Sequence, residues 1–281
     1  MRVYIEGVGL CGPGLAGWAA SRPVLAGAAP YLPAPVIAPP SPLLPPNERR
    51  RTVETVRLAL AVGKEAFDMA GRDAAQTATV FASSGGDGAT IHQILETLAT
   101  PGGEMSPTRF HNSVHNAPAG YWTIAARSRA PSTSLSCYDA SFAAGLLEAA
   151  VQATVEDRAV ALVAYDVRYP EPLNRARPIA AAFGTALVLT PGPTAGSLAR
   201  LDLVLRRAAA GAPAMTDAAL EALRRGTPAA RSLPLLAGLA SGAARALALD
   251  YLPTLEIGLS LEPAARAAAV GPARDAMAAA R

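Results

Sequence analysis

The chain has 281 residues, of which 51% are hydrophobic and only 5% aromatic, and a formal net charge of +3. That length suits one large domain or one domain with an appendage, and the apolar, Ala-rich composition predicts an α/β protein of tightly packed helices. No apolar run reaches the roughly 18 residues of a spanning helix, and the N-terminus MRVYIEGVGL has no basic region followed by an apolar core, so a membrane protein is not expected. Two cysteines, Cys11 and Cys137, are too few for a disulfide framework and fit a cytoplasmic location. The arginines are scattered apart from Arg49-Arg50-Arg51 and pairs such as Arg224-Arg225, with no interleaved aromatics, which argues against nucleic-acid binding.

In chain order, Val3-Tyr4-Ile5 opens a strand that the cluster Gly7-Val8-Gly9 and Gly12-Pro13-Gly14 is expected to end. Residues 23–46 are Pro-rich and predict an extended surface loop without regular structure, suited to wrapping a partner. Val53, Val56, Leu60 and Phe67 among charged residues predict one amphipathic helix from Glu48 to Ala70, stopped by Gly71. A strand is expected from Thr77 to Ala82, then the turn Ser83-Ser84-Gly85-Gly86-Asp87-Gly88, then a helix from Ala89 to Leu98. That turn lacks the Lys-Ser/Thr pair that would make it a phosphate loop. His111 and His115 are four apart, but no third ligand stands at a recognisable spacing, so no metal and no cofactor are expected.

The stretch Pro131 to Gly145, PSTSLSCYDASFAAG, carries the strongest signal. Thr133, Leu135 and Cys137 alternate with serines in the period of a strand, and the run from Phe142 to Val151 follows at helical length, interrupted only by Glu148. A helix apolar on nearly all sides must be buried, and its free N–H groups point to whatever lies at the corner before it. Asp139 at that corner reads as a helix cap or as a catalytic carboxylate, and Cys137 as a packing residue or a nucleophile. Apolar runs at Ala159–Asp166 and Ala182–Thr190 predict buried strands, with Leu198–Arg206 pairing beside the second. Strands separated by helices predict a mostly parallel sheet covered on both faces. Further on come a helix near Thr216–Arg225, an apolar stretch Leu233–Leu249 and a strand Leu255–Leu261.

The segment from Met105 to Val151 resembles the nucleophile half of the β-ketoacyl-acyl carrier protein synthases. Ser106-Pro107, Asn116, Ala119-Gly120 and Pro131-Ser132 match that family's S-P, N-x-x-A-G and G-P-S landmarks without a gap. The same register puts Asp139 where the family's nucleophilic cysteine stands, with Cys137 two residues early on the strand. The resemblance implies a thiolase-like layered α/β fold: one complete half at 1–206, a reduced second half at 207–261 and a frayed tail at 262–281. It also implies a pair of catalytic histidines in the second half, yet no histidine follows His115. The expected function is therefore that of a non-catalytic subunit of chain length factor type, as in aryl polyene and related polyketide pathways. Its expected partner is a full-length synthase, with an acidic acyl carrier protein as a further partner for the basic surface. By the same resemblance Phe110, Ser113 and Val114 reach toward the neighbouring acyl tunnel, and the strand of Thr133 and Leu135 forms the dimer contact. The alternative is an autonomous acyltransferase or condensing enzyme using Cys137.

Overall fold

A computed structural model describes residues 1–209 and 215–264 of the chain. The first strand, β1 (Arg2–Gly12), turns into the two-residue β2 (Leu15–Ala16) and is followed by α1 (Trp18–Leu25). Residues 30–41 form no regular element, as their prolines predict, but the loop is shorter than 23–46 because Pro23 lies inside α1 and Pro46 starts α2 (Pro46–Arg51). The loop is tied down by the Gly14 N–H donating to the Ala34 carbonyl and the Tyr31 hydroxyl donating to the Pro13 carbonyl at 2.7 Å. The single helix expected from Glu48 is two, α2 and α3 (Glu54–Ala70), because Thr52 and Val53 are extended and the Thr52 hydroxyl donates to the Arg49 carbonyl. Gly71 ends α3 in the left-handed conformation, φ 62°.

Next come β3 (Ala78–Ala82), α4 (Gly88–Ala99), α5 (Pro107–Asn112) and α6 (Ala117–Ala126). The Asp87 carboxylate caps α4 by accepting the Thr90 N–H at 2.7 Å. β4 (Ser132–Leu135), a 3-10 turn at Tyr138–Ala140 and α7 (Ser141–Val155) form the predicted strand-to-helix elbow, although β4 stops short of Cys137. Then follow β5 (Val160–Asp166), the single-turn α8 (Leu173–Ala176), β6 (Phe183–Thr190), β7 (Ala199–Arg207) and α9 (Ala218–Gly226). A second 3-10 turn at Pro228–Ser232 leads into α10 (Leu233–Ser241), then β8 (Arg245–Leu252) and β9 (Leu255–Pro263). The apolar stretch 233–249 is thus a helix and a strand, divided at Gly242, where φ is 62°. Of the expected tail at 262–281, Glu262 and Pro263 complete β9 and residues 265–281 lie outside the described part.

All the strands belong to one sheet, in the order β4-β3-β5-β6-β1-β7-β9-β8 with β2 beside β1. The mostly parallel sheet expected from the sequence is instead mixed: only β3–β4 and β3–β5 are parallel. The connection from β5 to β6 contains one helical turn, and the chain returns antiparallel. β7 does not lie beside β6, because β1 runs between them and pairs with both. Val160, Leu162 and Ala164 of β5 face a core built with α1, α7, α9 and α10, while Ala161, Val163 and Tyr165 face a second core built with α3 and α6. Cover on both faces holds for this part of the sheet only. On β7, Leu201 and Leu203 are buried, but Arg200 pairs with Asp202 and Glu262, and Arg206 with Glu256, on a face that meets solvent.

Gly7 and Gly9 lie inside β1, which stops only at Gly12-Pro13-Gly14. A side chain at Gly7 would collide with the Ala66 carbonyl oxygen, and one at Gly9 with the Val62 carbonyl oxygen, so the bare strand is what lets α3 lie directly on the sheet. α7 packs the same way on the opposite face: Phe142, Leu146, Ala149, Ala150 and Ala153 are buried, while Leu147, Glu148 and Val151 on its far side are half-buried. A Cβ at Gly145 would sit 2.8 Å from Ala82 and Leu162 side-chain carbons. Gly9→Ala is therefore expected to cost about 3 kcal/mol or more in a chemical denaturation experiment, since backbone must move to admit it. Gly192→Ala, which meets nothing within 4 Å, is expected to be nearly neutral.

Candidate functional site at the strand-to-helix elbow

The three parallel strands β4, β3 and β5 end side by side, which is where α/β sheets place their sites. β3 delivers Ser83 and Ser84, β4 delivers Ser136 to Asp139, and β5 ends on Asp166. The elbow is held locally by short bonds. The Ser136 hydroxyl donates to the Ser84 carbonyl at 3.0 Å, the Cys137 N–H donates to the Ser141 Oγ at 3.0 Å, and the Ser141 hydroxyl donates to the Tyr138 carbonyl at 2.7 Å. Tyr138 takes a left-handed conformation, φ 50°, uncommon for a bulky side chain, and turns its ring outward.

Asp139 does not cap α7, because Tyr138–Ala140 are already wound into the 3-10 turn and the cap position falls on Ala140. Its carboxylate is instead bound at both oxygens. Arg177 donates to Oδ1 at 2.6 Å and Arg231 to Oδ2 at 3.0 Å. The Arg177 guanidinium also lies 3.6 Å from the centroid of the Tyr138 ring, a cation–π contact. Beneath Asp139, between α7, α10 and β8, the remaining void of about 10 Å³ is lined by Phe142, Arg231 and Asp250 among others, and holds no more than one water. Cys137 stands off the strand, two residues past the end of β4.

Asp166, which sequence reading did not single out, is the buried acid of the site. It is 3% exposed and accepts the Ser84 N–H at 2.8 Å, the Ser84 hydroxyl at 2.6 Å, the Ser83 hydroxyl at 3.4 Å and the Ala229 N–H at 2.8 Å. Burial pushes its pKa up to about 6, against the pull of those donors. The signal was present in the sequence as the one acid closing the apolar run Val160–Tyr165. The glycines of the turn after β3 serve Tyr169, whose ring occupies the space that side chains at Gly85 and Gly88 would need.

Phe110 and Val114 are exposed, at 61% and 48%, and the Ser113 hydroxyl closes the turn between them by donating to the Phe110 carbonyl at 2.8 Å. Ile91, Leu95 and Leu98 form an exposed stripe on α4. His111 packs edge-on to Tyr121, whereas the His115 ring bonds to the Ser83 carbonyl at 3.1 Å beyond the end of α5, so the two do not share a helix face. Among the described residues no three His, Cys, Asp or Glu side chains converge as metal ligands. No described helix is long and apolar enough to cross a membrane.

β4 is an edge strand, paired only with β3. The Pro131 and Leu135 carbonyls accept the Thr79 and Ser83 N–H groups, so odd-numbered residues turn their backbone groups inward and Ser132 and Ser134 turn theirs to the open edge. The Thr133 hydroxyl accepts from Gln152 of α7 at 3.0 Å, and Leu135 packs against the core. These two residues therefore anchor the strand to its own fold.

A mixed sheet between helical layers, with a strand-to-helix elbow at its parallel end, is the architecture of the thiolase-like proteins. Residues 25–244 match the model of the β-ketoacyl synthase N-terminal domain, and the chain belongs to that family. It is similar to a chain in the complex of the ketosynthase ApeO with its chain length factor ApeC from Xenorhabdus doucetiae: TM-score 0.70, 23% identity, 92% of this chain and 99% of that one. A chain of the ishigamide ketosynthase/chain length factor gives 0.68 at 16% identity, over 94% and 99%. One of the complex AntDE:AntF, a type II PKS acyl-carrier protein with its ketosynthase bound to the hexaketide, gives 0.71 at 13%, over 93% and 99%. No curated protein matched.

The raised pKa of Asp166 has a signed consequence. Because its folded value lies near 6 and the ordinary value is 3.8, the folded state takes up the proton first, so this group's contribution to stability rises as pH falls from above 6 toward 4. Asp166→Asn is expected to remove that component, which is read as a change in the slope of unfolding free energy against pH between about 4.5 and 6.5.

Proposed function

We propose that this chain is a non-catalytic synthase-like subunit of chain length factor type, which pairs with a full-length β-ketoacyl synthase in fatty acid or polyketide assembly of the aryl polyene kind. The observation that carries it is the elbow: the position aligned with the nucleophilic thiol holds a carboxylate, and that carboxylate is committed to two guanidiniums. A condensing site needs a thiolate and imidazoles to stabilise the enolate and the thioester oxyanion. Here no histidine follows His115 in sequence. In this reading Cys137 does not take the place of that thiol, because it stands two residues before the aligned position, past the end of β4. Similarity to chains found in ketosynthase/chain length factor complexes supports the same reading.

The pairing surface is the open edge of β4 together with the exposed Phe110, Val114 and the α4 stripe. In the pair, Phe110, Ser113 and Val114 approach the partner's acyl tunnel, and residues 207–261 act as a reduced second half. Of the triplet on α2, the exposed Arg50 and Arg51 offer an acidic acyl carrier protein a basic contact, while Arg49 turns to the Leu44 carbonyl. The cytoplasm is the compartment that keeps Cys11 and Cys137 as the free thiols they are here.

Two measurements check this. The pure chain is expected to release no carbon dioxide and form no ketoacyl product from acyl and malonyl carrier protein, while native mass spectrometry of the chain co-expressed with its synthase gives a one-to-one pair; turnover by the chain alone would refute the reading. Within the pair, Ser134→Pro removes an N–H from the open edge but none bonded to β3, so it is expected to weaken association at least about tenfold while the unfolding midpoint holds. Thr133→Pro instead breaks the bond to β3 and is expected to lower stability as well.

A further inference from the structure

The clamp on Asp139 joins parts of the chain that are far apart in sequence. Arg177 comes from the loop after α8, and Arg231 from the 3-10 turn between α9 and α10. Arg231 also approaches Asp250 of β8 at 3.8 Å, and its own turn is fixed by the Ala229 N–H donating to Asp166. Both guanidiniums are largely withdrawn from solvent, at 18% and 24% side-chain exposure, more so than the carboxylate they share at 38%. Two poorly hydrated cations converging on one point form an anion cradle, and the protein fills it with its own side chain.

β4 needs such an anchor. It has four residues, it pairs on one side only, and it runs straight into the elbow. We infer that position 139, aligned with the family's nucleophile, is rebuilt in this chain as an ionic clamp that positions β4, so that its open edge is already set for strand pairing before a partner arrives. The clamp itself is a property of the isolated chain; only its role in pairing rests on the function proposed above.

The test uses Asp139→Ala, which empties the cradle, with sodium formate as the probe that refills it. In the isolated chain, amide hydrogen exchange across residues 132–138 is expected to quicken about tenfold on substitution and to return toward the wild-type rate with formate, but not with chloride at equal ionic strength. Asp202→Ala, which removes a carboxylate shared by Arg2 and Arg200 five strands away, is expected to leave that segment unchanged. If Asp139→Ala does not fold, Asp139→Asn, which keeps the shape and loses the charge, is read by the exchange rate at 132–138 alone, since its amide leaves no room for formate. Unchanged exchange at 132–138, or quickening that formate does not reverse, overturns the clamp. With the synthase present, weaker pairing by Asp139→Ala and recovery with formate support the positioning role, and wild-type pairing by that variant overturns it. Failure of the wild-type chain to pair at all sinks the proposed function and with it the pairing role, while the exchange experiment still decides the clamp.

Discussion

The carboxylate of Asp166 sits where the chain has least room for error. It is a charge taken almost wholly out of water, and such a group is tolerable only when its lone pairs are met by donors in good geometry. Those donors come from the turn after β3, 82 residues before Asp166, and from the 3-10 turn before α10, 63 residues after it. Meeting them fixes where β3 ends relative to β5 and where the turn carrying Arg231 must stand. The elbow is then built on a frame that is already set: the same turn that satisfies Asp166 presents Arg231 to Asp139.

A carboxylate at the elbow limits what the corner can do. A thiolate between a helix N-terminus and imidazoles is held ready for a substrate. A carboxylate bound at both oxygens by arginines has its acceptors satisfied within the protein, and the void beside it is too small for anything but a water. The elbow of this chain is closed by an internal ionic contact between Asp139, Arg177 and Arg231.

The two ends of the sheet differ for a related reason. At the β3–β5 end, residues alternate between two apolar cores, and the strands are apolar throughout. At the β7–β9 end, one face meets solvent and carries paired Arg, Asp and Glu side chains; the half-exposed pairs of Arg200 with Asp202 and Glu262 contribute little to stability by themselves, whereas Arg206 reaches a buried Glu256. Exposed apolar side chains occur on both parts of the fold: Val204, Leu205 and Leu252 on β7 and β8, and Ile91, Leu95, Leu98, Phe110 and Val114 on α4, on α5 and just after it.

What the sequence determined by itself was local. Continuous apolar runs located β3, β5 and β6, Gly71 located the end of α3, the all-apolar run after Ser141 located α7, and the spacing of Ser106-Pro107, Asn116 and Ala119-Gly120 pointed to the family. These signals survive because they depend on contacts a few residues long. Only the tertiary structure decided that Gly7 and Gly9 lie inside a strand, since their reason is the carbonyl oxygens of α3 more than fifty residues away. It decided in the same way that β1 runs between β6 and β7, and that Asp139 answers to Arg177 and Arg231 rather than to the helix it precedes. An acidic residue beside a helix start looks like a cap from sequence because the competing partners are distant in the chain; the pairing of two arginines with one carboxylate exists only once the sheet has brought them together.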